Sequence, residues 1–391
     1  MINTNSMSKT IIFCADGTWD GPEDATGESV LDSDNLAQEL AATALTNVVK
    51  LYANLQGSTL PSTVALENED EKILADPAGN PLQVAKYLHG VGDSKNLLVK
   101  LLGGIFGLGV VARIVRGYTF LSRHYAPGDR IHICGFSRGA YTARALTGVI
   151  AQVGLLDPAT YDATDKEHAY RLGIAAWAQA KTLQLNGKGK MTQLASDIIA
   201  VFERFLAAPL DPQNLRPEIP VSSVAVWDTV GSLGIPEYVK GARADVFRFV
   251  DAALSPKVER GLHAMAIDEL RVDFPVTKWD ARAGITQTWF IGAHGDVGGG
   301  YPPAESSLSD LTLEWMTGQL AAFGVGFAAT PVYRPDTSRV LTQPIHTPWT
   351  QPPFDHLGRA PRIPAAGDDF HPSIQARREI DPTYRPAAPA G

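Results

Sequence analysis

The sequence has little cysteine, no long apolar run and no excess of positive charge. Only two cysteines, Cys14 and Cys134, occur among 391 residues, which excludes a disulfide-built scaffold and a cysteine metal site. Both lie in apolar, strand-like segments, so we expect buried thiols. The apolar run 101–112 is much shorter than the about 20 residues that a membrane-spanning helix needs. The first ten residues lack the basic and apolar regions of a signal peptide, so we expect a chain that is cytoplasmic where it is synthesised.

The charge balance also limits the classes of partner. Thirty-four basic and 42 acidic side chains give a net charge of −8, so no basic excess exists to neutralise nucleic-acid phosphates. The chain is 45% hydrophobic and 19% charged, a composition typical of a folded protein with a large buried core. We therefore expect a globular protein that does not bind nucleic acid.

Short apolar runs alternate with longer helical patterns over most of the chain. Strands are predicted at 11–15, 84–91, 130–134, 221–227 and 286–291, and helices at 46–55, 110–125, 138–152, 257–267 and 309–323. This alternation predicts an α/β fold, with a mostly parallel sheet covered by helices on both faces.

Two regions depart from that pattern. Residues 155–220 have helical patterns near 174–181 and 192–207 and little strand character, which we interpret as a helical insertion or lid over the sheet. Residues 331–391 hold 12 of the 27 prolines. We expect this tail to wrap the core as loops or to be partly disordered. The predicted catalytic domain then covers residues 8–330.

The strongest local motif is G-x-S-x-G at residues 135–139, directly after one predicted strand and directly before a helix. This context is that of a nucleophile elbow, in which a sharp turn presents a serine at the carboxyl end of the sheet. The motif predicts Ser137 as the nucleophile. The backbone N–H of Arg138 then lies where it stabilises an oxyanion. The alternative is a glycine-rich turn without catalysis.

A serine nucleophile needs a base and an acid, and the α/β-hydrolase order is serine, acid, histidine. Asp228 ends the predicted strand 221–227, which is the expected place of the acid, although an aspartate that caps a turn is the alternative. His294 follows the strand 286–291 in a glycine-rich loop and is the candidate base. Among the other histidines, His89 precedes the serine and His263 lies in a predicted helix. Three more, in the proline-rich tail, stay open as candidates: His346, His356 and His371.

Further polar groups lie near the ends of the first and last strands. Gly17 or Thr18 is a candidate second oxyanion donor. Asp16 and Asp296 are candidate partners of the catalytic residues, although stabilisation of their own loops is the preferred interpretation. Metal binding by Asp16, His294 and Asp296 is a weaker alternative, because no ligand spacing supports it.

Seven blocks occur in one order along the chain. They read FCADGTWD, TNVVKLYANL, YLHGVGD, GDRIHICGFSRGAYTARALTGVI, VWDTVGSLG, WFIGAHGDVGGGY and LSDLTLEWM. Together they resemble the DUF2235 family, which includes the catalytic domain of the Tle1-like type VI secretion phospholipase effectors. The resemblance covers about residues 10–320.

The resemblance implies an α/β-hydrolase fold and ester hydrolysis, with phospholipase activity in the effector members. It implies the nucleophile at Ser137, the acid at Asp228 and the base at His294. A cytoplasmic enzyme and a cargo exported by type VI secretion both fit the sequence, and a secretion-system or immunity protein is a candidate partner. No cofactor is expected.

The predicted function is thus hydrolysis of carboxylic esters, with lipid or phospholipid acyl esters as substrates and transient contact with a membrane surface. The run 101–112 is either packing at the start of a helix or an apolar surface that meets acyl chains. The alternatives are a soluble short-chain carboxylesterase, a metal-dependent phosphoester hydrolase and a non-catalytic binding scaffold.

Overall fold

A computed structural model describes residues 8–17, 31, 36–60, 69–89, 106–186, 207–230, 253–352, 354–356 and 358–386. The strands in this part of the chain are β1 (Thr10–Ala15), β2 (Ser58–Thr59), β3 (Glu69–Ala75), β4 (Pro81–Leu88), β5 (Arg130–Phe136), β6 (Leu155–Leu156), β7 (Leu215–Arg216), β8 (Val221–Trp227), β9 (Val258–Ala266), β10 (Ile285–Phe290) and β11 (Asp369–Phe370).

The α-helices of the same residues are α1 (Leu36–Ala42), α2 (Asn47–Asn54), α3 (Phe106–His124), α4 (Arg138–Val153), α5 (Lys166–Asn186), α6 (His294–Gly298), α7 (Ser307–Ala322) and α8 (Pro372–Ile380). Short 3₁₀ turns lie at Pro212–Asn214, Pro303–Glu305 and Pro348–Thr350. Among the described residues, no helix combines the length and the apolar composition that a membrane-spanning segment needs.

A nine-stranded sheet forms the centre, in the order β11-β10-β9-β8-β5-β1-β4-β3-β2. Every neighbouring pair from β11 to β4 is parallel, whereas β3 pairs antiparallel with both β4 and β2. The predicted α/β fold with a mostly parallel sheet is therefore confirmed. Parallel strands end at one edge of the sheet, so the residues that follow β1, β5, β8 and β10 are brought together there.

Both faces of the sheet are covered, and β1 shows how the sequence divides between them. Alternate side chains of a strand point to opposite faces. Ile11 and Phe13 pack in a cluster with α3, α4 and α5, whereas Ile12 and Cys14 pack in a second cluster with α2 and α7. All four side chains are fully buried, which explains why β1 reads as a continuous apolar run rather than an alternating one.

The helix predicted at 257–267 is wrong, because this segment is strand β9. Its apolar residues recur at a spacing that also fits a helix. The strand lies between β8 and β10, with most of its residues buried. A strand covered on both faces has no polar–apolar alternation to distinguish it from a buried helix.

Part of the predicted insertion contributes to the core. Helix α5 packs against α3 and α4, and its Trp177 is fully buried. The second helix expected near 192–207 lies almost entirely outside the described residues. The insertion as a lid stays a prediction.

The proline-rich tail contributes regular structure at the sheet edge. Strand β11 pairs with β10, and a third apolar cluster joins Trp289 of β10 to Ile374 of α8 and Tyr384. The division of the chain into a catalytic domain and a separate tail stays a prediction. Of the apolar run 101–112, residues from Phe106 onward begin α3, and residues 101–105 lie outside the described part.

Candidate active site

Ser137 occupies the turn between β5 and α4 in an unusual backbone conformation. Its φ is 55° and its ψ is −120°, a combination that a non-glycine residue rarely adopts. The backbone N–H of Ser137 donates a hydrogen bond to the carbonyl of Trp227, at 3.2 Å. The residue is half-buried. Such strain is concentrated at functional sites, where the surrounding structure holds it in place.

The two glycines of the motif allow the close packing of this turn. A Cβ atom at Gly135 would lie 2.4 Å from the carbonyl oxygen of Gly139. A Cβ atom at Gly139 would lie 2.0 Å from the carbonyl oxygen of Ala15, at the end of β1. Only glycine permits this approach of the helix start to the sheet. The G-x-S-x-G pattern is therefore required by the packing of α4 against β5 and β1.

Asp228 lies next to this turn because of the sheet register. Phe136, which precedes Ser137, pairs with Trp227, which precedes Asp228. Asp228 is fully buried and has a φ of 36°. Its Oδ1 accepts a hydrogen bond from the backbone N–H of Ala266, at 2.9 Å. The end of β9 thus holds the carboxylate in place.

His294 approaches the same carboxylate from the loop after β10. Its Nδ1 lies 2.6 Å from Oδ2 of Asp228, and its backbone N–H donates to Glu269, at 3.1 Å. The ring centroids of Phe136 and Phe274 lie 4.6 Å and 5.2 Å from that of His294. With the Nδ1 hydrogen bond occupied by the carboxylate, the other ring nitrogen is the one suited to accept a proton.

The electrostatic environment favours an ionised aspartate and a neutral histidine. Burial raises the pKa of Asp228, but the positive charge of Arg362 and the hydrogen bond from His294 outweigh burial, so the pKa lies below its usual value. Burial lowers the pKa of His294, and its contacts with Asp228 only partly offset this effect. A neutral imidazole beside a carboxylate is the state required of a general base.

Arg362 is part of this site, and sequence reasoning missed it. Its guanidinium donates to both oxygens of Asp228, from Nη1 at 2.6 Å and from Nη2 at 2.9 Å. The side chain is buried. It is 134 positions away from Asp228 in the proline-rich tail, so no local pattern could have identified it.

The candidate oxyanion donors have different environments. Arg138 is the first residue of α4 and is half-buried, and N–H groups of a first helical turn point to the helix start. The N–H of Gly17 donates to Oδ1 of Asp16, at 2.7 Å, so in this structure it stabilises its own turn. Thr18 lies outside the described residues.

Asp16 is buried at the end of β1 and belongs to a separate hydrogen-bond network. Its Oδ2 accepts from the hydroxyls of Thr46, at 2.7 Å, and Tyr87, at 2.6 Å. Burial raises its pKa, although these hydrogen bonds act in the opposite direction. Arg113 donates to the backbone carbonyl of Asp16, at 2.6 Å. These contacts hold the loop that follows β1.

Asp296 stabilises the loop of His294. Its Oδ2 accepts from the N–H of Ala293, at 2.9 Å, and its Oδ1 lies 2.6 Å from Nδ1 of His346. Partial burial lowers the pKa of His346, but the hydrogen bonds with Asp296 and Glu305 outweigh burial and raise the pKa above its usual value.

The structure does not bring the alternative metal ligands together. Asp16, His294 and Asp296 each bind a different set of protein groups. No group of three His, Cys, Asp or Glu side chains in the described part of the chain is arranged to hold a metal ion. The metal-dependent alternative therefore has no support from this geometry.

The remaining histidines named as candidates have other contacts. Nε2 of His89 lies 2.7 Å from Asp70. His263 lies on β9, not on a helix, and its Nε2 accepts from the N–H of Thr229, at 3.0 Å. His356 is exposed, and His371 caps α8. Only His294, among these residues, contacts Asp228.

Comparison with known proteins gives the family. Residues 9–319 match the family described as the type VI secretion system phospholipase effector Tle1-like catalytic domain. The chain belongs to this family. The matched range contains Ser137, Asp228 and His294 but ends before Arg362.

Individual known proteins share only a small fraction of identical residues with this chain. An uncharacterized protein of Saccharomyces cerevisiae, YEL023C, is 26% identical over 285 residues, which are 69% of this chain and 32% of that protein. A crystal structure of an uncharacterized protein from Pseudomonas aeruginosa has a TM-score of 0.43 at 16% identity, over 87% of this chain and 49% of that chain. The Tle1 effector bound to the VgrG spike has a TM-score of 0.38 at 17% identity, over 75% and 51%. The chain thus spans about a third to half of these proteins.

Proposed function

We propose that this Tle1-like domain is a serine hydrolase that cleaves carboxylic esters of lipids or phospholipids. The observation that carries the proposal is the strained Ser137, which directly precedes α4. Its neighbour Phe136 packs against the ring of His294, which is hydrogen-bonded to Asp228. The family description, a phospholipase effector, favours a lipid ester as substrate. The alternative, with the same catalytic residues, is a soluble carboxylesterase that cleaves short-chain esters.

In the proposed reaction, the hydroxyl of Ser137 attacks the ester carbonyl and His294 takes the hydroxyl proton. His294 then donates this proton to the leaving alcohol, which leaves an acyl-enzyme on Ser137. Water, deprotonated by the same imidazole, releases the acid. Asp228 holds the imidazole in the required tautomer and stabilises its cationic form. The N–H of Arg138 stabilises the oxyanion, and loss of such a donor typically costs about 10²–10³ in kcat.

The proposal extends to delivery and partners. The family description implies export by a type VI secretion system, which would require contact with a component of that system and, at the target, with a membrane surface. Co-purification with the secreted spike protein of the same cell tests the first contact. Sedimentation with phospholipid vesicles tests the second.

The deciding experiment combines fluorophosphonate labelling, mapped by peptide mass spectrometry, with turnover of a short p-nitrophenyl ester and of a phospholipid. We expect the label on Ser137 and cleavage of both substrates. Ser137→Ala should abolish labelling and turnover while leaving the thermal unfolding transition intact. Ser338→Ala, at an exposed serine, is the matched control and should behave as the unchanged chain.

The outcomes separate the alternatives. Label on Ser137 with turnover of the short ester alone would indicate a soluble carboxylesterase. Full turnover by Ser137→Ala would refute the serine mechanism. The absence of both label and turnover would favour a binding scaffold.

A further inference from the structure

The tail residue Arg362 makes four hydrogen bonds at the base of the candidate active site. Two go to the carboxylate of Asp228, as described above. The other two go to backbone carbonyls: Nη1 donates to Ala266, at 2.7 Å, and Nη2 to Phe274, at 2.6 Å. Ala266 is also the residue whose N–H donates to Asp228. The guanidinium therefore joins the carboxylate, the end of β9 and the loop that follows it.

We propose that Arg362 is a positioning residue of the hydrolytic site: its bidentate ion pair holds the carboxylate of Asp228 in place and keeps the imidazole of His294 neutral. The inference rests on the proposed function, because it gives Arg362 a role in preparing the proposed base. It concerns a residue that lies beyond the range 9–319 matched by the family.

The electrostatic argument starts from the buried pair of Asp228 and His294. A carboxylate 2.6 Å from an imidazole strongly favours the imidazolium, which has no lone pair to accept the serine proton. Oδ2 of Asp228 is shared between His294 and Nη2 of Arg362. The guanidinium compensates the negative charge and thereby reduces the tendency of His294 to bind a proton in the resting enzyme.

Arg271 is a second cation near His294 and its charge also lowers the pKa of His294, but its guanidinium donates to Glu269 rather than to Asp228. Glu269 accepts the backbone N–H of His294, but its carboxylate is already paired with Arg271, at 2.8 Å. Asp296, on the same short helix, is paired with His346. Glu269 and Asp296 thus have partners of their own, whereas Asp228 contacts the neutral imidazole of His294 and the guanidinium of Arg362. Arg362 is thus the permanently charged partner of Asp228.

Arginine is required here for geometry as well as charge. Nη1 and Nη2 of its planar fork each donate to one carboxylate oxygen of Asp228 and to one backbone carbonyl. A lysine would supply the charge from a single atom and would lose most of these contacts. Lysine at position 362 would therefore keep the charge but lose the contact geometry, whereas methionine would remove both.

The test compares Arg362→Lys, which keeps the charge, with Arg362→Met, which removes it. Arg359→Gln is the control, because Arg359 is an exposed arginine of the same segment that donates to the carbonyl of Trp349 and does not contact Asp228. For each full-length variant, kcat and KM are measured against pH with a short p-nitrophenyl ester. The pKa of His294 is measured separately by NMR of the imidazole.

We expect Arg362→Met to lower kcat by about tenfold or more. The acid-side apparent pKa of kcat/KM and the NMR pKa of His294 should rise together by about one unit or more. Arg362→Lys should keep the pKa near that of the unchanged chain while kcat still falls. Arg359→Gln should change neither. Where Arg362→Met does not fold, Arg362→Gln removes the charge and retains one donor to Asp228.

The inference is overturned if removal of the charge leaves the NMR pKa of His294 unchanged, or if the lysine and the uncharged variants shift it equally. A lower kcat without a pKa shift would indicate a purely structural role for Arg362. Other results would refute the proposed function: turnover retained by Ser137→Ala, or no ester hydrolysis by the unchanged chain. The NMR measurement would then still decide whether Arg362 controls His294.

Discussion

Two candidate catalytic residues have a backbone conformation that side chains rarely adopt. Among the described residues, the non-glycine residues with positive φ are Ser137, Glu218 and Asp228. Each such residue typically costs about 1–3 kcal/mol, so the packing around Ser137 and Asp228 must offset that cost. At the residue scale, the glycines around Ser137 provide this packing.

Gly139→Ala tests this packing. Because the new Cβ would meet the carbonyl of Ala15 at 2.0 Å, we expect the free energy of unfolding to fall by about 1–3 kcal/mol. We also expect ester turnover to fall, since the displaced atoms belong to the turn of Ser137 and the end of β1. Chemical unfolding and the short-ester assay measure the two effects.

The control is Gly148→Ala in the same helix, where a Cβ meets nothing within 4 Å. It should raise the free energy of unfolding by up to about 1 kcal/mol and leave turnover unchanged. Equal effects of the two substitutions would show that the contact with β1 is unimportant.

At the scale of elements, a buried polar network joins α2, α7 and the tail. Nζ of Lys50 lies 3.0 Å from Asp310, and both side chains are almost completely buried. The hydroxyl of Tyr333 donates to the same carboxylate, at 2.9 Å. The network fixes the helices on the sheet face opposite α3 and α4.

Lys50→Met should lower the free energy of unfolding by about 3–5 kcal/mol, because it leaves the carboxylate of Asp310 buried without its cation. Urea unfolding gives this value. Glu218→Gln is the control. It breaks the pair with Lys257, in which Glu218 is 78% exposed, and should cost no more than about 1 kcal/mol. Comparable losses in both variants would contradict a special role for the buried pair.

At the scale of the whole molecule, buried neutral histidines couple folding to pH. His132 is fully buried on β5, with Nδ1 2.8 Å from the hydroxyl of Ser223. Burial lowers the pKa of His132 to about 3, and burial likewise lowers that of His263 to about 3. Both lie far below the usual 6.5, so the unfolded chain binds protons that the folded chain excludes.

The stabilisation from each histidine is complete above pH 6.5 and is lost as the pH falls below that value. The loss is about 1.4 kcal/mol per pH unit for each group until the folded-state pKa is reached. We expect His132→Gln to reduce the difference in free energy of unfolding between pH 6.5 and pH 5 by about 2 kcal/mol. Urea unfolding at the two pH values measures it. An unchanged pH dependence would mean that His132 is protonated in the folded chain.

Elements bounded by clear turn signals could be predicted from the sequence, whereas a strand buried on both faces could not. The helix near 138–152 and the strand near 130–134 were predicted well because a glycine-rich turn separates them. Strand β9 was assigned as a helix because a strand buried on both faces loses its alternation. Gly17 and Thr18 stay predictions as oxyanion donors; the Gly17 N–H binds Asp16 in this structure, a contact that depends on how that side chain is buried.

The mostly parallel α/β architecture, the family, and the candidates Ser137, Asp228 and His294 follow from the order of the amino acids alone. The strand, turn and helix signals are encoded within a few neighbouring residues, and the order of the seven blocks and of the serine, acid and histidine can be read directly along the chain. The contacts of Asp228 with Nδ1 of His294 and with the guanidinium of Arg362 are evident only in the folded chain. Such contacts join residues far apart in the chain, and only the packing of the sheet and tail determines which distant side chains meet.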